Sequence, residues 1–167
     1  CGGGGVMRGV ELLRVDDRVI HGQVVEGWVP YLKADLVVVV SDAAASDEVQ
    51  AALMKMALPA SVGLVIVRVA DAPAVLASPQ MAARRALVLV PSPAEALALV
   101  ENGVAVDHIN VGGLHFTVGK VQLGQALFLG EKDKRALRAL AAHGVRLEGR
   151  SLPADPEDDL ISVLEGG

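Results

Sequence analysis

The 167-residue chain carries 15 Lys and Arg against 20 Asp and Glu, a formal net charge of −5, and 52% of its residues are hydrophobic. These values predict one folded domain and exclude a disordered chain. The acidic balance, with no basic cluster larger than the pair Arg84–Arg85, argues against a nucleic-acid-binding protein. Its uncharged apolar runs are too short to span a bilayer, so we expect a soluble protein.

The beginning of the chain differs from the rest in composition. Residues 1–9 contain Cys1 and a run of glycines, and they predict a flexible Gly-rich extension. We interpret it as a stretch upstream of a start near Met7 rather than as a lipidated cysteine, and the lack of a signal segment predicts a cytoplasmic protein. Because Cys1 is the single cysteine, a disulfide framework and a Cys-based metal site are excluded.

From residue 10 onward the chain alternates between short aliphatic runs, which predict buried strands, and stretches with helical spacing of apolar residues. In chain order the predicted strands are Val10–Val15, Leu36–Val40, Leu64–Val69, Ala86–Val90, His108–Val111, Ala126–Leu129 and Val145–Leu152. The predicted helices are Gly22–Lys33, Ser46 (as N-cap) to near Pro59, a weak one within Ala72–Ala83, Ala94–Asn102 and Glu131–His143. Glycines 103 and 144 are expected to end the last two helices.

This alternation predicts a single-domain α/β fold, an open and mostly parallel β-sheet with helices on both faces. We expect the domain to cover residues 10–152. Residues 153–167 form an acidic tail with room for a short helix around 157–164. Ligands of such sheets bind outside the carboxyl ends of the strands, where the strand order reverses. The residues that follow each strand are therefore the candidates for a functional site.

The segment after the first strand, DDRVIHGQ (residues 16–23), brings two carboxylates, a guanidinium and an imidazole into one loop. His21 would lie just before a helix N-terminus, where backbone N–H groups and the helix dipole favour an anion. A neutral imidazole is a nitrogen nucleophile that can take a phosphoryl group, and Arg18 can neutralise the phosphoryl oxygens. Since neither a P-loop nor a G-x-G-x-x-G motif occurs, the predicted phosphate chemistry is not obviously nucleotide chemistry.

The loop DDRVIHGQV closely resembles the active-site loop of the enzyme IIB component in the mannose/fructose/sorbose family of the phosphoenolpyruvate:sugar phosphotransferase system. The resemblance continues through Trp28 into LVVVVSD, returns at INVGGL (residues 109–114), and covers most of residues 10–160. It implies an open, mostly parallel α/β sheet. It also implies that His21 accepts a phosphoryl group on Nδ1 from a phosphohistidine of a IIA partner and passes it to a hexose bound by the membrane components IIC and IID. No metal or other cofactor is implied.

The matching loop positions suggest roles for individual residues. Arg18 is expected to stabilise the phosphoryl group, and Asp17 to orient the imidazole, with Asp16 as second choice. We expect a phosphate-binding loop whose members lie near the histidine: Gly22, Gln23, Asn110, Gly112 and Gly113. The glycines at 112 and 113 would allow close approach of the backbone.

Two other functional classes fit these residues less well, and a third stays open. A response-regulator receiver fails because a Lys is missing after the fifth strand, and a metal-dependent hydrolase using Asp16, Asp17, His21 and His115 lacks evident further ligands. A phospho-dependent regulatory module that uses His21 without sugar transport stays open. So do the sugar, a homodimer, and peripheral association with the membrane permease. His108 and His143 are interpreted as structural residues.

Overall fold

A computed structural model of the protein describes residues 9–113, 121–123, 127–150, 152–155 and 158–159. The strands in this part of the chain are β1 Val10–Asp16, β2 Leu36–Val40, β3 Gly63–Val67, β4 Ala86–Val90, β5 His108–Gly113, β6 Val121–Leu123, β7 Leu127–Leu129, β8 Arg146–Gly149 and β9 Asp158–Asp159. A π-helix, Gln23–Trp28, runs directly into the first α-helix. The α-helices are α1 Val29–Leu32, α2 Asp42–Ala45, α3 Glu48–Ala57, α4 Ala72–Leu76, α5 Pro79–Ala82, α6 Pro93–Glu101 and α7 Glu131–Ala142.

The main sheet has the strand order β3-β2-β4-β1-β5-β8-β9. The six strands from β3 to β8 in this order pair in parallel, and the two-residue β9 pairs antiparallel to β8. The predicted open and mostly parallel sheet is therefore confirmed. The connection from β1 leads toward β2 and that from β5 leads toward β8, so the strand order reverses between the adjacent strands β1 and β5.

Alternating side chains of the central strands explain why helices cover both faces. In β2, Val38 and Val40 belong to one buried cluster, while Val37 and Val39 belong to the other. Side chains of α4, α5, α6 and α7 complete the first cluster, and the π-helix, α1, α2 and α3 complete the second. A strand buried on both faces reads as a continuous aliphatic run, and for this reason Leu36–Val40 and Ala86–Val90 were predicted with the observed bounds.

Several predicted elements differ from the structure. Ser46 does not cap the second predicted helix, because α2 ends there. Asp47 is the N-cap of α3, and its carboxylate accepts from the N–H groups of Val49 and Gln50. The weak helix within 72–83 is two short helices, the second of which begins at Pro79, a residue that disfavours a helical conformation of the one before it.

The later elements also need correction. The strand predicted at Ala126–Leu129 is β7, which pairs antiparallel with β6 in a separate two-stranded sheet. Part of the tail helix expected around 157–164 lies outside the described residues, and Asp158–Asp159 form a strand instead. The two predicted helix ends are confirmed, since Gly103 and Gly144 both have positive φ, at +93° and +87°.

Candidate active site at the ends of β1 and β5

The loop after β1 carries the predicted nucleophile into the π-helix. The N–H of Val19 donates to the carbonyl of Asp16 across 3.0 Å, which closes a turn, and Val19 itself has a φ of +60°. The carbonyl of His21 then accepts from the N–H groups of Val24 and Val25 at 3.0 and 2.9 Å. His21 therefore lies at the first turn of the helix that follows the switch in strand order.

The imidazole of His21 is held by Asp16, the last residue of β1. His21 Nε2 lies 2.7 Å from Asp16 Oδ2, and the Asp16 side chain is fully buried while that of His21 is 13% exposed. Burial would raise the pKa of Asp16, but the hydrogen bond from His21 and the charge of Arg14 outweigh it, and the pKa lies below its ordinary value. Because an ionised carboxylate only accepts, the geometry gives Nε2 the proton and leaves Nδ1 with the lone pair.

This contact corrects the ranking of the two aspartates. Asp17 was expected to orient the ring, with Asp16 second, but the carboxylate against Nε2 belongs to Asp16. Asp16 is the last residue of β1, whereas Asp17 belongs to the turn that follows it. Asp16 lies on the same face as Arg14, and Trp28 of the π-helix packs against Arg14 on that face.

Arg18 and Gln23 lie together on the solvent side of the loop. Arg18 Nη2 donates to Gln23 Oε1 across 2.8 Å, and Arg18 Nε is 3.7 Å from Asp16 Oδ1. The Arg18 side chain is 40% exposed, so its guanidinium can reach a group that arrives from solvent. The structure thus brings Arg18, Gln23 and the His21–Asp16 pair into one cluster.

Arg14 is a buried cation directly beneath the loop, and sequence reasoning missed it. Its side chain is fully buried, Nη2 lies 3.2 Å from Asp16 Oδ2, and Nη1 donates to Asn110 Oδ1 and to the carbonyl of Arg150. Burial lowers the pKa of Arg14, and the charge of Asp16 opposes that shift. The signal was a charged residue inside the apolar run of β1, two positions before Asp16 and therefore on the same face.

Two further buried groups, on β5 and β8, extend this cluster. Asn110 Nδ2 donates to Glu148 Oε1 across 3.2 Å, and Arg150 forms two hydrogen bonds to the same carboxylate at 2.7 and 2.8 Å. His108, interpreted as structural, places Nε2 3.2 Å from Glu148 Oε1. Burial raises the pKa of Glu148, but His108 and Arg150 outweigh it and lower the pKa to about 2.

Trp28 joins the helix of the site to these charges. Its indole ring is fully buried, with the Arg14 guanidinium 5.0 Å and the Arg150 guanidinium 5.1 Å from the ring. Both distances are within the range of cation–π attraction. The helix that begins beside His21 is therefore attached to β1 and to the end of β8 through one side chain.

The structure shows the neighbours of the three glycines that were predicted to bind phosphate. A Cβ on Gly112 would overlap the guanidinium carbon and nitrogens of Arg14, so the missing side chain makes room for that buried cation. The expectation that Gly112 allows close backbone approach to a phosphate stays a prediction. Gly113 is the register partner of Asp16, and Gly22 is the N-cap of the π-helix. His115 lies outside the described residues.

The described ranges hold no group of three or more His, Cys, Asp or Glu side chains placed to bind a metal ion. Within the same ranges, none of the helices has the length and apolar character needed to cross a membrane.

His143, interpreted as a capping residue, is the C-cap of α7.

A family model described as "PTS system sorbose subfamily IIB component" matches residues 10–166. The chain belongs to this family.

Relatives of this IIB chain support the assignment. It is 34% identical over 158 residues to the fructose-specific EIIB component of Bacillus subtilis, covering 95% of this chain and 97% of the relative. It is 38% identical over 159 residues to the mannose-specific EIIAB component of Escherichia coli, of which the matched region spans only 49% while covering 93% of this chain. The crystal structure of the IIBSor domain of the sorbose permease from Klebsiella pneumoniae superposes with a TM-score of 0.88 at 32% identity, covering 94% of this chain and 96% of that one.

Proposed function

We propose that this IIB chain accepts a phosphoryl group on Nδ1 of His21 from a phosphohistidine of a IIA partner. It then passes the group to a hexose held by the membrane components IIC and IID. The chain would act in the cytoplasm, peripherally associated with the permease. The observation that carries the proposal is the 2.7 Å contact between Asp16 and Nε2, which leaves Nδ1 as the nucleophilic nitrogen.

The geometry supports an in-line exchange between two histidines. The lone pair of Nδ1 forms a bond to phosphorus as the bond from phosphorus to the donor's imidazole nitrogen breaks, and the positive charge that develops on the His21 ring is balanced by Asp16. In the second step a sugar hydroxyl oxygen bonds to phosphorus, the bond from phosphorus to Nδ1 breaks, and the hydroxyl proton is released. No nucleotide is consumed, because the phosphohistidine already carries the transfer potential.

Two features near His21 favour the phosphoryl group itself. Arg18 is exposed enough to reach the transferring oxygens, and its hydrogen bond to Gln23 Oε1 directs the guanidinium along the loop. The helix that follows His21 also begins here, so the positive end of its dipole lies at this region. Both favour a dianion attached to the ring.

The relatives support the partners in this proposal. The Escherichia coli relative is called a mannose-specific EIIAB component, so in that protein a IIA part accompanies the region that this chain matches. Other relatives are called fructose-, sorbose- and N-acetylgalactosamine-specific, and we therefore propose a sugar substrate of this class without choosing among them.

The test is the intact mass of the protein after incubation with phosphoenolpyruvate, the general phosphotransferase proteins and a IIA donor. We expect one acid-labile, base-stable phosphate on the wild type and on His143→Ala, an exposed control, and none on His21→Ala. Retained phosphate on His21→Ala would contradict the assignment. Adding membranes that contain IIC, IID and a hexose should move the phosphate to the sugar. A phosphate that stays on the protein would favour the regulatory alternative.

A further inference from the structure

A continuous series of contacts joins His21, which follows β1, to a carboxylate on β8, two strands away in the sheet. His21 Nε2 meets Asp16 Oδ2 at 2.7 Å, Asp16 Oδ2 meets Arg14 Nη2 at 3.2 Å, and Arg14 Nη1 donates to Asn110 Oδ1. Asn110 Nδ2 then donates to Glu148 Oε1 across 3.2 Å. We call Asp16, Arg14, Asn110 and Glu148 the buried polar network.

Burial makes each member of the network depend on its neighbours. Arg14, Asp16 and Asn110 have no exposed surface, and Glu148 is 1% exposed. A charge or amide without water must keep its protein partners, because leaving one of them unsatisfied costs several kcal/mol. A side chain held in this way has one favourable orientation, which it imposes on the next.

The orientation of the Asn110 amide is set by both of its neighbours, Glu148 and Arg14. An ionised carboxylate can only accept hydrogen bonds, so it requires the NH₂ end of the amide, and the amide oxygen must then face the guanidinium of Arg14. The reversed amide would place NH₂ against that guanidinium and oxygen against the carboxylate. Because the guanidinium can only donate, Arg14 requires the amide oxygen as well. Glu148 binds both residues whose oxygens accept from Arg14 Nη1, Asn110 and Arg150, and so holds these two acceptors in place.

We propose that Glu148 is a positioning residue for phosphoryl transfer: through Asn110 and Arg14 it holds Asp16 on Nε2 of His21, so that Nδ1 is the nucleophile. This inference rests on the proposed function of His21. Glu148 acts at a distance and does not touch the reacting atoms. Two hydrogen bonds from Arg150 hold the Glu148 carboxylate in place. Arg150 also contacts the ring of Trp28, a residue of the π-helix.

The deciding variant is Glu148→Gln, which preserves shape but removes the charge that holds the Asn110 amide and the Arg150 guanidinium. With phosphorylated IIA as donor, we expect kcat for phosphoryl acceptance to fall about tenfold, as expected for a misaligned reacting group. KM for the donor should stay within about twofold, since the docking surface is unchanged. In ¹⁵N NMR spectra of the unphosphorylated protein, the His21 ring should change from the Nε2–H tautomer to a mixture of both tautomers.

Asp35→Asn is the matched control, because it also removes a carboxylate from an ion pair. Asp35 pairs with Arg84, and the two residues precede β2 and β4 in the other half of the sheet. It should leave kcat and the ring spectrum unchanged. Asn110→Ser interrupts the network but leaves the Glu148–Arg150 pair in place, and it should reproduce both effects. Adding Glu148→Gln to it should then change kcat no further. If Glu148→Gln does not fold, Asn110→Ser provides the same two measurements.

An unchanged kcat in a folded Glu148→Gln protein would overturn the inference. So would a lower kcat with an unchanged ring tautomer, which would indicate a structural role only, or additive effects in the double variant. A wild-type protein that accepts no phosphate would instead contradict the proposed function of His21. The tautomer measurement needs no phosphate, and therefore it still tests the positioning role.

Discussion

The main sheet is built from two kinds of strand on the two sides of its centre. On one side, β2 and β4 bury only aliphatic side chains, the runs LVVVV and ALVLV. On the other, β1, β5 and β8 bury Arg14, Asp16, Asn110 and Glu148 among their aliphatic residues. The parallel pairing and two-sided burial are shared, so the fold alone does not require these polar groups.

The two kinds of strand differ in how burial affects the stability of the protein. An aliphatic strand is stabilised by burial whatever its exact neighbours, since hydrophobic stabilisation is not directional. A buried ion is stable only with its partners in place, and replacing such ions by apolar residues often raises stability. Burying the polar groups of β1, β5 and β8 therefore costs stability. In the structure these groups hold the His21 ring in one orientation.

The largest expected effect tests the dependence of the polar side on its ions. Arg14→Met should lower the free energy of unfolding by about 3–5 kcal/mol, because the fully buried carboxylate of Asp16 loses its cation. Urea denaturation measures this value. Leu13→Met, the neighbouring buried position with a volume-conserving exchange, should cost less than about 1.5 kcal/mol. Equal losses in the two variants would contradict the distinction between the two kinds of burial.

The second prediction concerns the pH dependence of the free energy of unfolding, which the polar side of the sheet should cause and the aliphatic side should not. The pKa of Glu148 is about 2 in the folded protein against an ordinary 4.5, so the unfolded chain binds the proton more readily. The resulting stabilisation is present above about pH 4.5 and lost as the pH falls toward 2, an amount of about 3 kcal/mol. Denaturation at a series of pH values should show this loss.

Two variants sharpen that measurement. Glu148→Gln should remove this part of the pH dependence, while the part due to Asp16, whose pKa is also lowered, remains. Val39→Ala, in the aliphatic strand β2, should lower the stability equally at every pH. A pH profile that is the same in the wild type and in Glu148→Gln would show that the carboxylate is not stabilised in its ionised form.

The smallest effect concerns space rather than charge. Gly112→Ala should lower the free energy of unfolding by about 1–3 kcal/mol, because the added methyl overlaps the Arg14 guanidinium and forces it to move. Gly22→Ala is the control. Its Cβ would meet no atom within 4 Å and its φ is −52°, so its stability should change by less than about 0.5 kcal/mol. Thermal melting of the two variants compares them, and a neutral Gly112→Ala would contradict the close approach.

The same division explains what could be predicted from the sequence. The bounds of β2 and β4 followed from pattern, since a five-residue aliphatic run rich in Val and Leu is typical of a strand buried on both faces and too short for a helix. The run Val10–Val15 contains two charged residues, and its pattern does not show that Glu11 is exposed while Arg14 is buried. A pattern of residue types reports burial on average, and it does not show which ion has a partner.

The site could be predicted in part for a related reason. The motif indicated His21, Asp16 and Arg18 because they lie within a few residues of one another. Asn110 lies 96 positions from Arg14 and 38 from Glu148, and only the strand register brings them together. Whether Asp16 or Asp17 faced the imidazole depended on which face of β1 the helix covers, and this is a property of the assembled layers.

The backbone at Val19 has a consequence for the encounter with a phosphoryl donor. A β-branched residue at a φ of +60° is strained by about 1–3 kcal/mol, and it persists only where its surroundings enforce it. Val19 is 5% exposed and packs into the same hydrophobic cluster as Trp28, so burial offsets that strain. The conformational entropy of Val19 is therefore lost when the core forms around it, so the donor of the proposed reaction would not have to order this residue.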